Sequence, residues 1–125
     1  MSAGRILVIE DNLDNLELVC FLLERGGFQT IKAADGRSGL EMARTGQPDL
    51  ILMDLTIPEI DGWHLAKQLK QDPATAAIPL IAMTAHILPG DRKKAIDSGC
   101  DGYITKPLDI PNFIPTIERH IKKQK

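Results

Sequence analysis

The chain has 125 residues, of which 43% are hydrophobic and 26% charged, and its formal net charge is −2. This length suits one compact domain with its own core and leaves no room for a second. The slightly acidic balance lacks the basic footprint of a nucleic-acid-binding domain, and no apolar run approaches the about 20 residues of a membrane span. No signal-peptide pattern precedes the first apolar run. We therefore expect a single cytoplasmic domain over 1–125, with no nucleic-acid partner and no membrane span.

Short apolar runs alternate with amphipathic stretches along the whole chain. In chain order, the pattern predicts a strand at 5–9, a helix at 13–25, a strand at 28–33, a helix at 36–45, a strand at 49–54, a helix at 63–71, a strand at 79–83, a helix at 91–98, a strand at 102–105 and a helix from about 111 towards 123. Strict alternation is typical of a parallel sheet covered by helices on both faces. The predicted fold class is α/β, with five βα units.

The apolarity of the predicted strands indicates their order in the sheet. Strands 5–9 and 49–54 are nearly continuous apolar runs, as expected for central strands that are buried on both faces. Strand 28–33 is more polar and suits an edge. With right-handed crossovers, these preferences favour the doubly wound, flavodoxin-like order 2-1-3-4-5. Pro115 falls inside the last predicted helix, so we expect that helix to kink or to begin later.

The two cysteines, Cys20 and Cys100, lie far apart in the chain. Neither belongs to a CxxC pair or has a histidine at the spacing of a metal site. We interpret both as buried, reduced thiols that pack as small apolar side chains.

Polar residues gather at the carboxyl ends of the predicted strands. Glu10 and Asp11 follow the first strand, Asp54 ends the third, Thr84 follows the fourth and Lys106 follows the fifth. Each alone is ordinary for a solvated turn or a helix cap. In an open α/β sheet, however, these ends converge on one crevice where the strand order reverses, here between the first and third strands. The common edge therefore favours a functional site.

The residue types in this set indicate a chemistry. Three carboxylates close together repel one another, and a divalent cation removes the conflict. Oxygen ligands without histidine or cysteine suit Mg²⁺, with Mn²⁺ able to replace it. The ammonium of Lys106 and the hydroxyl of Thr84 suit a phosphoryl group. A carboxylate in that centre can act as a nucleophile and become an aspartyl phosphate.

Several short motifs carry a family resemblance. They are VIEDN at 8–12, LILMD at 50–54, IP at 57–58 with DG at 61–62, MTA at 83–85 and GYITKP at 102–107. Together, and in this order, they resemble the receiver domain of bacterial two-component response regulators, a CheY-like family. The chain is similar to stand-alone regulators of the DivK type, which implies one receiver domain over 1–125 without an output domain.

The resemblance implies a role for each matched residue. Asp54 corresponds to the phosphoacceptor. Asp11 corresponds to the direct Mg²⁺ ligand, Glu10 to the acid that reaches the metal through water, and Thr56 to the position whose backbone carbonyl binds the metal. Thr84 and Lys106 correspond to the hydroxyl and the cation that hold the phosphoryl group, and Tyr103 to the switch aromatic that turns inward when the threonine moves.

The implied function is a signalling switch rather than an enzyme acting on other molecules. The phosphoryl group would come from a phosphohistidine of a histidine kinase or a histidine phosphotransfer protein, and the protein would catalyse only its own phosphorylation and dephosphorylation. A downstream protein would bind the face formed by helix 91–98, the fifth strand and the last helix. The resemblance is compatible with a monomer or with a weak phosphorylation-dependent dimer.

Two other functions remain alternatives. A constitutive interaction module could keep the fold and signal without phosphate, although every matched acceptor and metal position is filled here. A cofactor carrier such as a flavodoxin would have a Ser/Thr/Gly-rich loop after the first strand, where this chain has Glu10, Asp11, Asn12 and Leu13.

Overall fold

A computed structural model describes residues 4–54, 62–84, 97, 99–105 and 110–122, with the backbone alone at 62, 63, 84, 105 and 122. Within these residues the chain forms strands β1 (Arg5–Ile9), β2 (Gln29–Ala33), β3 (Leu50–Asp54), β4 (Leu80–Thr84) and β5 (Gly102–Thr105). It also forms helices α1 (Leu13–Arg25), α2 (Gly36–Gly46), α3 (Gly62–Gln71) and α4 (Ile110–Lys122). The predicted helix 91–98 lies outside the described residues except for Asp97, which is helical.

The strands form one parallel sheet in the order β2-β1-β3-β4-β5. This confirms the predicted order. β1 lies between β2 and β3, so that Ile9 is level with Ala33 on one side and with Met53 on the other. All five residues of β3 are buried, whereas β2 is buried only at its last residue. The burial of the strands therefore follows the difference in apolarity that led to the prediction.

Two apolar clusters cover the two faces of the sheet. On one face, α1 and α4 pack against the strands through side chains such as Leu23, Phe113 and Ile117. On the other face, α2 and α3 do the same, with Leu65 and Leu69 fully or almost fully buried. Helices on both faces of a parallel sheet confirm the doubly wound α/β fold class.

The described helices are short, and two of them begin at clear caps. Asn12 caps α1 by accepting the Asn15 N–H, and Asp35 caps α2 by accepting the Ser38 N–H. The hydrogen bond from Ser38 is the main cause that holds the pKa of the Asp35 carboxyl below its usual value. None of the helices formed by these residues is both long and apolar enough to cross a membrane.

The last helix departs from one expectation. α4 begins at Ile110 and continues through Pro115, so the predicted later start is wrong. Proline lacks the N–H that would bond to the Pro111 carbonyl one turn earlier. At the next position, the Thr116 hydroxyl donates to the Asn112 carbonyl at 2.8 Å. This side-chain hydrogen bond stabilises the helical turn that the proline weakens.

The two cysteines differ in burial. Cys20 is 2% exposed inside the cluster under α1, as predicted, and this burial is the main cause that raises the pKa of its thiol. Cys100 is only half-buried at the border of the other cluster, so the prediction of a buried thiol is wrong for it. The two cysteines form no disulfide with each other.

Lys70, at the end of α3, makes several polar contacts. Its ammonium donates to the Ile78 carbonyl at 2.7 Å and to the Ala76 carbonyl at 3.2 Å, and it pairs with Asp101 at 2.9 Å. The same oxygen of Asp101 accepts the Leu80 N–H at 2.8 Å. These bonds join the loop after α3 and the start of β4 to the segment before β5, which holds the two strands in register at their amino ends.

Candidate functional site

The polar residues predicted at the strand ends follow neighbouring strands at one edge of the sheet. Asp54 is the last residue of β3. Glu10 follows β1 directly and is level with Asp54, because Ile9 pairs with Met53. Thr84 ends β4, which lies on the other side of β3. Since adjacent strands lie about 4.8 Å apart, these three positions line one crevice.

Three carboxylates meet in this crevice. Glu10, Asp11 and Asp54 each bring one carboxylate oxygen to within 4.8 Å of the others. Glu10 and Asp54 are only 1% and 2% exposed, whereas Asp11 is open to solvent. The cluster therefore has two buried members and one that faces the water from which an ion would arrive.

The geometry of the cluster fits a small, hard cation. Mg²⁺ binds oxygen ligands at about 2.0–2.1 Å in an octahedron, so that opposite ligands lie about 4.2 Å apart. Oxygens that already lie within 4.8 Å of one another need only small shifts to share such an ion. The ligands are all carboxylates, which suit hard cations better than softer metals. Without a cation, their three negative charges repel one another in a pocket from which water is partly excluded.

Backbone hydrogen bonds set the position of Glu10. Its N–H donates to the Ala33 carbonyl at 3.0 Å, which extends the ladder between β1 and β2 by one residue. Its Oε1 accepts the N–H of Asn12 at 3.2 Å. The sequence motifs gave no predicted role for Asn12. An Asn before an apolar helix is a recognisable cap signal, but the contact with Glu10 depends on the backbone path between them.

The other predicted site residues are described in part or lie outside the described residues. Thr56 and Lys106 lie outside them, and Thr84 is described by its backbone alone. Thr105 is level with Thr84 and directly precedes Lys106, so the backbone of β5 leads to the same edge of the sheet. Tyr103 is half-buried in β5.

Residues 6–118 match the family of the response regulator receiver domain. The chain belongs to this family. Over 116 residues it is 40% identical to the polar-differentiation response regulator DivK of Brucella anthropi, which covers 93% of this chain and 94% of that protein.

Solved receiver structures superpose closely on this receiver. The receiver domain of the sensor histidine kinase PA1611 from Pseudomonas aeruginosa is 29% identical, with a TM-score of 0.88 over 97% of this chain and 99% of that one. In that structure a magnesium ion is coordinated in the active-site cleft. The chemotaxis response regulator CheY4 of Vibrio cholerae, at 23% identity, shares the fold with a TM-score of 0.86 over 93% of this chain and 97% of that one.

Family membership gives this receiver a general role. It is a signalling module of two-component systems, and such modules work with histidine kinases or phosphotransfer proteins. Its carboxylate cluster lies at the carboxyl edge of the sheet, where the sequence predicts a site.

Proposed function

We propose that this receiver accepts a phosphoryl group on Asp54 while Glu10, Asp11 and Asp54, together with the backbone carbonyl of Thr56, hold Mg²⁺. The observation that carries the proposal is the set of three carboxylates within 4.8 Å of one another, two of them buried, at the carboxyl edge of the sheet. Asp11, which faces solvent, binds the ion directly, and Glu10 reaches it through water. Mn²⁺ has similar ligand preferences and can replace Mg²⁺.

In the proposed reaction, a carboxylate oxygen of Asp54 attacks the phosphorus of a phosphohistidine on a histidine kinase or phosphotransfer protein. A P–O bond forms, and the P–N bond breaks with its electron pair going to the imidazole that leaves. The end of a buried central strand holds Asp54 in a fixed position, which favours an in-line approach. The hydroxyl of Thr84 and the ammonium of Lys106 bind the transferred oxygens, and Mg²⁺ supplies further positive charge beside them.

The proposed output is a changed protein-binding surface. Thr84 moves towards the phosphoryl group, and Tyr103 then turns inward from β5. The equilibrium between the two arrangements is biased by the new charge on Asp54. The surface that responds consists of helix 91–98, β5 and α4, where a downstream protein or a second receiver binds. We propose that 1–125 works as a single receiver domain, without activity on molecules other than itself.

The test is the mass of the intact protein after incubation with a small phosphodonor and Mg²⁺. We expect one phosphoryl adduct that is labile at alkaline pH, is lost in EDTA and is absent from Asp54→Ala. Asp97→Ala, which removes an exposed carboxylate away from the cluster, should form the adduct as the wild type does.

Other results would point to the alternative functions. No adduct with several small donors and with a cognate kinase would contradict the proposal and favour the constitutive interaction module. A yellow, flavin-bearing preparation would favour a cofactor carrier.

We also propose that α1 is the docking surface for the phosphohistidine donor. The large apolar side chains exposed within the described residues are Leu13, Leu18, Phe21 and Ile110. Three of the four lie on α1, which begins at the rim of the carboxylate cluster. Leu18 and Phe21 are 47% and 55% exposed, although residues of this type usually pack inside or mark interaction sites. A protein that brings its imidazole to Asp54 can contact α1 at the same time, because the helix leads away from the rim of the cluster.

Substitutions on α1 should separate protein donors from small donors. We expect Leu18→Ala and Phe21→Ala each to slow phosphoryl transfer from a phosphorylated histidine protein by about fivefold or more, the usual effect of losing an interface anchor. Adduct formation from a small phosphodonor should not change, because a small donor does not contact α1. Glu41→Ala, on α2 at the opposite face of the sheet, is the matched surface control. Equal losses with both kinds of donor would contradict the docking role.

A further inference from the structure

The side chain of Glu10 is held from two directions. Its backbone N–H bonds to Ala33 on β2, which fixes where the side chain starts. Its Oε1 reaches past Asp11 and accepts the N–H of Asn12 at 3.2 Å, which fixes where the carboxylate ends. A glutamate side chain has several rotatable bonds, and the contact with Asn12 adds to the burial that restricts them here, since Glu10 is 1% exposed.

The donor at residue 12 is itself rigid. The Asn12 side chain accepts the N–H of Asn15 at 3.1 Å, and the Asn12 carbonyl accepts the N–H of Leu16 at 2.9 Å. Its backbone is extended, with φ −83° and ψ 114°, as usual for a residue that caps a helix. The first turn of α1 therefore sets the direction in which the Asn12 N–H points.

We infer that the backbone N–H of Asn12 is a positioning donor that holds the Glu10 carboxylate beside Asp11 and Asp54 before the cation binds. Repulsion within the cluster pushes the Glu10 carboxylate away, and the Asn12 N–H opposes that movement by donating a hydrogen bond to the carboxylate. This backbone N–H thereby preorganises the cation site. The inference rests on the proposed function, because it concerns the same cluster.

An amide-to-ester replacement at residue 12 tests this directly. It removes the N–H and keeps the asparagine side chain. Residues 1–19 can be made as a thioester peptide and joined to residues 20–125, because native Cys20 supplies the ligation thiol. The control carries the ester at Leu13, which weakens the Asn12 carbonyl and so disturbs the start of α1 but keeps the Asn12 N–H.

The readouts are Mg²⁺ affinity by calorimetric titration and thermal unfolding in metal-free buffer. We expect the ester at residue 12 to weaken Mg²⁺ binding about two- to tenfold, as for the loss of one hydrogen bond. The ester at Leu13 should lower the unfolding temperature at least as much without weakening Mg²⁺ binding. Equal affinities in the two esters would overturn the inference, and so would tighter binding without the N–H. Absence of Mg²⁺ binding by the wild type would instead count against the proposed function.

A genetic pair tests the same point without synthesis. Asn12→Ala removes the cap and keeps the N–H, whereas Asn12→Pro removes both, and the φ of −83° lies close to that of proline. We expect Asn12→Ala to lose stability with unchanged Mg²⁺ affinity, and Asn12→Pro to lose affinity as well. If the two variants bind Mg²⁺ equally, the inference is wrong.

Discussion

Asp54→Asn should make the metal-free protein more stable while it abolishes phosphoryl acceptance. Asparagine has almost the same shape as aspartate but lacks the charge that repels Glu10 and Asp11. At separations within 4.8 Å, in a pocket where Asp54 is 2% exposed, removing that repulsion is worth about 1–3 kcal/mol in the free energy of unfolding. The amide cannot form an acyl phosphate, so no adduct should appear.

Urea or thermal unfolding in EDTA and in Mg²⁺ measures this effect. In Mg²⁺ the difference from the wild type should shrink, because the wild type gains stability by binding the ion and the variant gains less. Asp97→Asn removes an exposed charge outside the cluster and should change stability little under either condition. A less stable Asp54→Asn protein in EDTA would show that repulsion is not the dominant force on Asp54.

A substitution such as Asp54→Asn is expected to raise stability and to abolish phosphoryl acceptance, because the fold places like charges close together for function. The two described core clusters obey the usual rule, with apolar residues buried on both faces of the sheet. Glu10 and Asp54 break that rule at the ends of two central strands, where a buried carboxylate is costly unless something else binds it. Such local conflicts are typical of functional sites.

The sheet could be predicted from the sequence because a strand that is buried on both faces consists mainly of apolar residues. A strand covered on both sides is apolar along most of its length, as β3 is from Leu50 to Met53, whereas an edge strand such as β2 tolerates Gln29 and Lys32. Once the central strands are known, crossover handedness leaves few orders. The crevice follows from the order, since the carboxyl ends of β1 and β3 are neighbours.

The polar contacts within the site and between the strands could not be predicted in the same way. The bond between Asn12 and Glu10 joins residues two positions apart, but it forms only because the chain turns at Asp11 into a capped helix. Lys70 and Asp101 are distant in sequence, and nothing in the sequence around either residue identifies the other as its partner. Patterns report burial, and they do not report the direction in which a polar group points.

Gly39→Ala should destabilise the protein, although alanine is the better helix former. A Cβ at residue 39 of α2 would lie 2.5 Å from Cδ1 and 2.9 Å from Cγ1 of Ile9, which is fully buried. Helix propensity favours alanine by about 1 kcal/mol, whereas overpacking a core costs about 1–3 kcal/mol. We expect a net loss of up to about 2 kcal/mol in the free energy of unfolding, measured in urea, because β1 is central and Ile9 is fully buried.

Gly46→Ala on the same helix is the matched control. Its Cβ would meet only Cδ1 of Ile31 at 2.9 Å, the far end of a half-buried side chain on the edge strand, so the gain in propensity should offset the contact. Adding Ile9→Val to Gly39→Ala removes the nearest atom and should restore part of the stability. Ile9 directly precedes Glu10, so the Gly39→Ala protein should also bind Mg²⁺ more weakly, and the added valine should partly reverse that loss. Unchanged stability in Gly39→Ala would mean that α2 can move away from β1 at little cost, and the position of Glu10 would then not depend on this packing.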